Sequence, residues 1–267
     1  MLAIKDYEDL TIRDDFMFCY VFKNNPKLCK ELISIVTGDN VDDFDYIGSQ
    51  EAIQITADAR GVRLDIMLKA KDGTIYNVEM QNLDKDDIAK RMRYYQSCID
   101  LRELEKGTKF RNLPRSIIVF LCNFDFKGEG KLRYVFRETA KDGTLLGDGT
   151  EKIIVNLPNY IPAADDALNK LCDFFVTGSG KTEYTVALAD AVAYAKRNKE
   201  WRADFMTLQQ KYDELYDEAK EEGFAEGLAK GEEKGAAEAI ERIQQALQNG
   251  ASIEEALALA SNKPTFE

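Results

Sequence analysis

Between Val62 and Asn82 two alternating runs of residues flank the tripeptide Lys71-Asp72-Gly73. Val62, Leu64, Ile66 and Leu68 alternate with Arg63, Asp65, Met67 and Lys69, and Tyr76, Val78 and Met80 alternate with Asn77, Glu79 and Gln81. Period two on both sides of a glycine-containing turn specifies a β-hairpin. A three-residue loop with Gly73 in the left-handed conformation sets the register: Ala70 faces Thr74, and Asp65 therefore faces Glu79. Few other segments of the chain constrain its fold as tightly.

The remaining pattern builds around this hairpin. Residues 10–36 read as helix, with Thr11 as a cap, Asp14 and Asp15 in the first turn, and Asn24-Asn25-Pro26 breaking it in two. Residues 44–57 read as a bend and a short strand. Residues 84–106 read as a helix with Ile88, Met92, Tyr95 and Ile99 on one stripe. Strands are expected at 115–124, 132–138 and 152–157, and helix from about 164 onward. Asn249-Gly250 breaks the last helix, and Ser252 with Glu255 forms a capping box for a short terminal one. The outcome is a mixed α/β core whose strands are largely antiparallel, followed by an α-helical C-terminal region. Domains are expected at 1–163 and 164–267.

Composition narrows the chemistry. The 267 residues contain no histidine, which removes histidine general acid–base catalysis, Ser–His and Cys–His dyads and histidine-bound zinc. Five scattered cysteines form no Cys-x-x-Cys pair and read as reduced, buried thiols. No apolar run approaches the ~20 residues of a membrane span, and the charged N-terminus has no signal-peptide pattern, so a cytoplasmic protein without membrane partner is expected. Carboxylates with a hard divalent cation are the default chemistry for such a chain. The net charge of −12 is uneven, with 17 basic against 12 acidic groups in residues 60–140. That segment suits a polyanion, although chance alone also gives such a fluctuation.

The hairpin register puts Asp65 and Glu79 on one face with Cβ atoms ~5 Å apart, where like charges repel unless something lies between them. A divalent cation such as Mg²⁺ fits that position, with a backbone carbonyl as a further ligand, and Arg63, Asn77 and Gln81 share the face. The plain alternative is a solvated hairpin face. Thr177-Gly178-Ser179-Gly180-Lys181-Thr182 imitates the end of a phosphate-binding loop, but reads better as a helix terminator. Gly223, Gly227, Gly231 and Gly235 are spaced by four in a helical region. That spacing reads either as a helix approached closely by another or as a flexible repeat, and Leu208, Tyr212 and Leu215 upstream form an apolar stripe.

Asp65 with Glu79-Met80-Gln81 on adjacent strands resembles the core motif of the PD-(D/E)XK nuclease superfamily. The resemblance is closer to the recombination-promoting nuclease / putative transposase family. It runs through Asp14-Asp15-Phe16, Val62-Arg63-Leu64-Asp65, Val78-Glu79-Met80-Gln81, Lys90-Arg91-Met92-Arg93-Tyr94-Tyr95, Ile117-Ile118-Val119-Phe120, Asn123-Phe124-Asp125 and Ile153-Ile154-Val155-Asn156-Leu157-Pro158. The resemblance implies a restriction-endonuclease-like mixed β-sheet core flanked by helices, and a metal-dependent DNA endonuclease. Asp65 and Glu79 then hold Mg²⁺ (or Mn²⁺) with the Met80 carbonyl. Gln81, where the superfamily usually has lysine, orients a water, and Asp15 or Glu51 adds a further acid. Arg63, Lys90, Arg91, Arg93 and Tyr95 are the expected DNA contacts, and the C-terminal helices the expected seat of a homodimer. A catalytically weak assembly protein on the same core is the alternative.

Overall fold

The computed structural model describes residues 5–48, 52–53, 62–63, 65–84, 87–104, 107–249 and 252–253. In chain order the elements are α1 (Asp15–Asn24), α2 (Pro26–Thr37), β1 (Phe44–Gly48), β2 (Ala52–Ile53), β3 (Val62–Arg63), β4 (Ile66–Ala70), β5 (Ile75–Gln81), α3 (Ile88–Glu103), β6 (Ser116–Cys122), β7 (Arg133–Phe136), β8 (Thr150–Asn156), α4 (Ala167–Thr177), α5 (Glu183–Arg197) and α6 (Lys199–Gln248). None of the described helices is long and apolar enough to cross a membrane. Glu255, one half of the expected terminal capping box, lies outside the described residues.

The expected hairpin register is the one found. Ile66 faces Val78 and Met67 faces Asn77, the Ala70 N–H donates to the Thr74 carbonyl (2.9 Å), and Gly73 takes φ 89°. The first strand is shorter than its alternation implies: Val62-Arg63 pairs instead with Ala52-Ile53 in a separate two-stranded ribbon, and regular β4 starts only at Ile66.

The six-stranded sheet has the order β1-β4-β5-β6-β8-β7. The sheet is mixed, as the resemblance implies: β1–β4, β4–β5 and β7–β8 run antiparallel, while β5–β6 and β6–β8 at its centre run parallel. The strands at its centre carry apolar runs, Ser-Ile-Ile-Val-Phe-Leu-Cys in β6 and Ile-Ile-Val in β8. Such runs are the signature of parallel strands covered on both faces, and every β6 residue is buried. One face is covered by α3, which sets Ile88, Met92, Tyr95 and Ile99 against Met67, Ile75, Ile118, Phe120 and Ile154. The N-terminal helices pack on the other face, with α1 against β4 and α2 against β8.

The helix break is where proline requires it. Asn25, barred from helical backbone by the next residue, sits at φ −131° and ψ 77°, and Pro26 opens α2. Thr11 does not cap α1. The helix starts at Asp15 with Asp14 in the cap position, and the Thr11 N–H and hydroxyl both donate to the Asp14 carboxylate (2.7 and 2.9 Å). The helix expected at 84–106 is confined to α3, and Thr177-Gly178 does terminate α4, with Gly178 at φ 73°.

By contacts the chain divides into compact units of residues 1–203 and 204–267. The first extends past the boundary expected at 163, because α4 and α5 bury Leu171, Phe174, Phe175, Tyr184 and Leu188 and pack on α1 and α2. In the second unit α6 continues as an uninterrupted helix, and no residue of α6 is buried.

Candidate active site

The Gly73 turn fixes which residues meet at the open end of the hairpin. There the regular ladder stops and side chains take over its hydrogen bonds. The Asp65 N–H donates to Glu79 Oε1 (3.0 Å), and the Met80 N–H donates to Asp65 Oδ2 (2.9 Å). Glu79 Oε1 also accepts from Asn77 Nδ2 (2.8 Å), and Cys19 Sγ on α1 donates to the Asp65 carbonyl (3.4 Å).

This face is not solvated. Asn77 is 0% and Glu79 2% exposed, with α3 lying over the sheet. Burial and the neighbouring Asp65 charge push the Glu79 carboxyl well above the usual carboxylate range, against the pull of its Asn77 and Asp65 N–H donors and of Arg91. A cation beside Glu79 would favour its charged form. All the convergent donors are oxygens, the two carboxylates and the Met80 carbonyl, which is a hard-cation set. Among the described residues no group of three or more acidic or thiol side chains gathers at one point. A metal here would rest on two carboxylates, a carbonyl and water.

Gln81 lies on the same face, and its Nε2 donates to the Met80 carbonyl (2.9 Å). Its Oε1 accepts from the guanidinium of Arg91 (2.5 Å), which also donates to the Tyr95 hydroxyl (3.0 Å) and rests 5.5 Å from the centre of the Phe120 ring. Burial works against the Arg91 charge, but the Tyr95 hydroxyl and the Asp87 and Glu79 carboxylates outweigh it and raise its pKa. Sequence reasoning placed Arg91 on DNA; the structure places it on Gln81. The i, i+4 spacing of Arg91 and Tyr95, beside the apolar stripe of α3, was the signal available. Tyr95 is buried (9% exposed), so its ring packs under α3 on Phe120 and is no surface for DNA. Lys90 and Arg93 are exposed on α3.

The site lies at the carboxyl ends of the parallel strands, where ligands of α/β sheets bind. The Asn123 N–H donates to the Gln81 carbonyl (2.8 Å), the Arg13 guanidinium to Asn123 Oδ1 (2.9 Å), and Asn82 Nδ2 to the Arg13 carbonyl (2.8 Å). The start of α1 is thereby tied to the end of β5. Asp15, one helical turn before Cys19 and on its face of α1, is exposed at this end of the molecule. Glu51 and the Arg63 side chain lie outside the described residues. Arg13 had no sequence signal, and Asn123 stood only in the Asn123-Phe124-Asp125 stretch of the resemblance, because their contacts depend on which loops the sheet order brings together.

The family described as PD-(D/E)XK nuclease family transposase matches residues 12–177, which is more than half the chain and includes every site residue named above. No curated protein and no solved structure matches significantly.

Proposed function

Because the chain belongs to the PD-(D/E)XK nuclease family transposases, a nuclease family, we propose that it hydrolyses phosphodiester bonds of DNA as a divalent-metal-dependent endonuclease of the recombination-promoting type. The observation that carries this reading is the interlocked pair of half-buried Asp65 and buried Glu79, beside Gln81 and Arg91 at the carboxyl ends of the parallel strands.

Asp65, Glu79 and the Met80 carbonyl would hold Mg²⁺, or Mn²⁺ in its place, and the family's nucleases generally use such metals. Bound there, the cation would acidify a water and offset phosphate charge. The protein's own groups do the rest. Met80 N–H and Asn77 fix the two carboxylates. Gln81, being neutral, orients a water but brings no charge. Arg91 supplies the missing positive charge, held half-buried where it counts for more than in water. Asp15 is the candidate further acid. Lys90 and Arg93 hold phosphates without reading bases.

DNA as substrate, together with five buried cysteines that form no disulfide, fits a cytoplasmic protein. Association through α6 would make it a homodimer and set two sites to cut both strands. The reading is tested by plasmid nicking. Wild type with Mg²⁺ should convert supercoiled plasmid, and EDTA or Asp65→Ala should reduce the rate by about a thousandfold or more. Cleavage by Asp65→Ala at the wild-type rate would refute it. An inactive wild type that still self-associates would favour an assembly protein.

A further inference from the structure

The sheet register carries the face of Glu79 across to a second feature. Glu79 faces Phe120 on β6, Phe120 faces Ile154 on β8, and Ile154 faces Tyr134 on the edge strand β7. Tyr134 therefore shares the Glu79 face, three strand spacings or roughly 14–15 Å away. Phe136, two residues on, lies on that face too. The Tyr134 and Phe136 rings stack with centroids 5.8 Å apart and planes 10° apart, and Phe126 stands edge-on to both, at 6.3 and 6.4 Å.

A loop joins the two places. It leaves the site at Asn123, bonded to Gln81 and Arg13, and reaches Phe126 within three residues. The buried Asn156 amide pins it, accepting from the Phe126 N–H (3.1 Å) and donating to the Lys131 carbonyl (2.7 Å). Lys127 Nζ lies 4.5 Å from the Phe126 ring centre and Lys131 Nζ 5.3 Å from that of Tyr134. Glu129 meets Lys131 (2.8 Å) and the Tyr134 hydroxyl (3.1 Å), a place a phosphate can take.

A cluster sealing the sheet edge accounts for Phe126 and Tyr134, which pack against the core. It does not account for Phe136, which is 41% exposed on an edge strand, nor for an ammonium on each of the other rings. Exposed aromatic faces beside mobile cations are how proteins hold unpaired nucleotides, with bases on rings and phosphates on lysines.

We propose that Phe136, with Tyr134 and Phe126, forms a stacking platform for unpaired bases of the DNA substrate, and that Lys127 and Lys131 hold the adjoining phosphates. The substrate class is then DNA with a single-stranded tail, gap or flap beside the duplex. The inference rests on the nuclease reading of the Asp65–Glu79 site and specifies its substrate.

The test is fluorescence anisotropy of the full chain in EDTA, with a blunt duplex and the same duplex carrying an oligo-dT tail. Wild type should bind the tailed duplex more tightly, and Phe136→Ala and Phe136→Leu should each lose about tenfold on the tailed DNA with blunt-duplex affinity unchanged. Phe136→Leu keeps the apolar packing and removes only the ring. An absent tail preference in wild type, an undiminished one in both variants, or equal losses on the two DNAs would overturn the platform. Because this assay needs no cleavage, a tail preference without Mg²⁺-dependent nicking would instead overturn the nuclease reading alone.

Discussion

Asp65 and Glu79 hold each other by different atoms. The backbone N–H of Asp65 donates to the Glu79 carboxylate, while the Asp65 carboxylate is held by the N–H of Met80, the residue after Glu79. The two charges are thus fixed side by side without bonding each other, and the repulsion between them is built into the folded chain.

That repulsion gives the first prediction. Burial and Asp65 favour the protonated form of Glu79, so its folded pKa is raised. A raised carboxyl contributes stability that is full below the ordinary value of 4.5 and is lost as pH rises through the folded pKa. Without metal, Glu79→Gln should melt above wild type once the pH exceeds the folded pKa of Glu79. Mg²⁺ or Mn²⁺ should raise the melting temperature of wild type and leave Glu79→Gln and Asp65→Asn nearly unmoved. Equal metal shifts in all three proteins would remove the metal from this site.

The Gln81–Arg91 contact sets the next expectation. Arg91→Ala should slow nicking by about 10²–10³-fold, the range for losing one charge-stabilising donor. Gln81→Ala should cost less and leave metal affinity intact. Restoring the superfamily's lysine, Gln81→Lys, puts a second cation against the guanidinium (2.5 Å from Gln81 Oε1). It should be less active alone than combined with Arg91→Gln. Additive effects in nicking rates across this double-mutant cycle would show that the two side chains do not act as a unit.

How much of this was legible in the sequence follows from periodicity. The Asp65–Glu79 register could be read because a glycine turn and period-two alternation leave one antiparallel solution. The neighbours of β5 could not, because Ile117–Leu121 and Ile153–Val155 are apolar at every position and carry no mark of strand direction. Burial of the carboxylate face depended on α3, whose apolar stripe was visible but whose partner was not. The break at Asp65 was hidden, since Val62 to Lys69 alternates as though one strand continued.

On the opposite face, Arg115 bridges Asp39 (2.6 Å) and Glu151 (2.5 Å), and the Tyr76 hydroxyl also donates to Asp39 (2.7 Å). Burial pushes both carboxyls up, but their Arg115 bonds, with Tyr76 on Asp39 and Arg137 on Glu151, outweigh it and lower both. Their contribution is present above the ordinary values of 3.8 and 4.5 and is lost as pH falls through the lowered ones. Arg115 is more than a third exposed, so Arg115→Met should cost only about 1 kcal/mol at neutral pH. Urea unfolding against pH should show the variant losing less stability on acidification than wild type. Parallel curves would mean the bridge is silent.

The second unit yields a prediction whose sign separates its two readings. Gly223, Gly227, Gly231 and Gly235 lie within the 50 residues of α6, and nothing stands within 4 Å of where their Cβ atoms would be. Each glycine costs ~1 kcal/mol relative to alanine in a helix interior. Phe224 (76% exposed), Leu228 (57%) and, upstream, Tyr212 (54%) and Leu215 (60%) add apolar surface that the chain itself leaves in water. If α6 pairs with a second copy, the glycines permit a close backbone approach that methyl groups would hinder. Gly227→Ala with Gly231→Ala should then raise helicity by circular dichroism and yet weaken the dimer by about tenfold or more in light-scattering titrations. A flexible solitary tail would gain helix with no change in mass, and a full-length monomer at micromolar concentration would exclude the dimer outright. A chain ending at Thr207 should be monomeric and retain the thermal unfolding of the first unit.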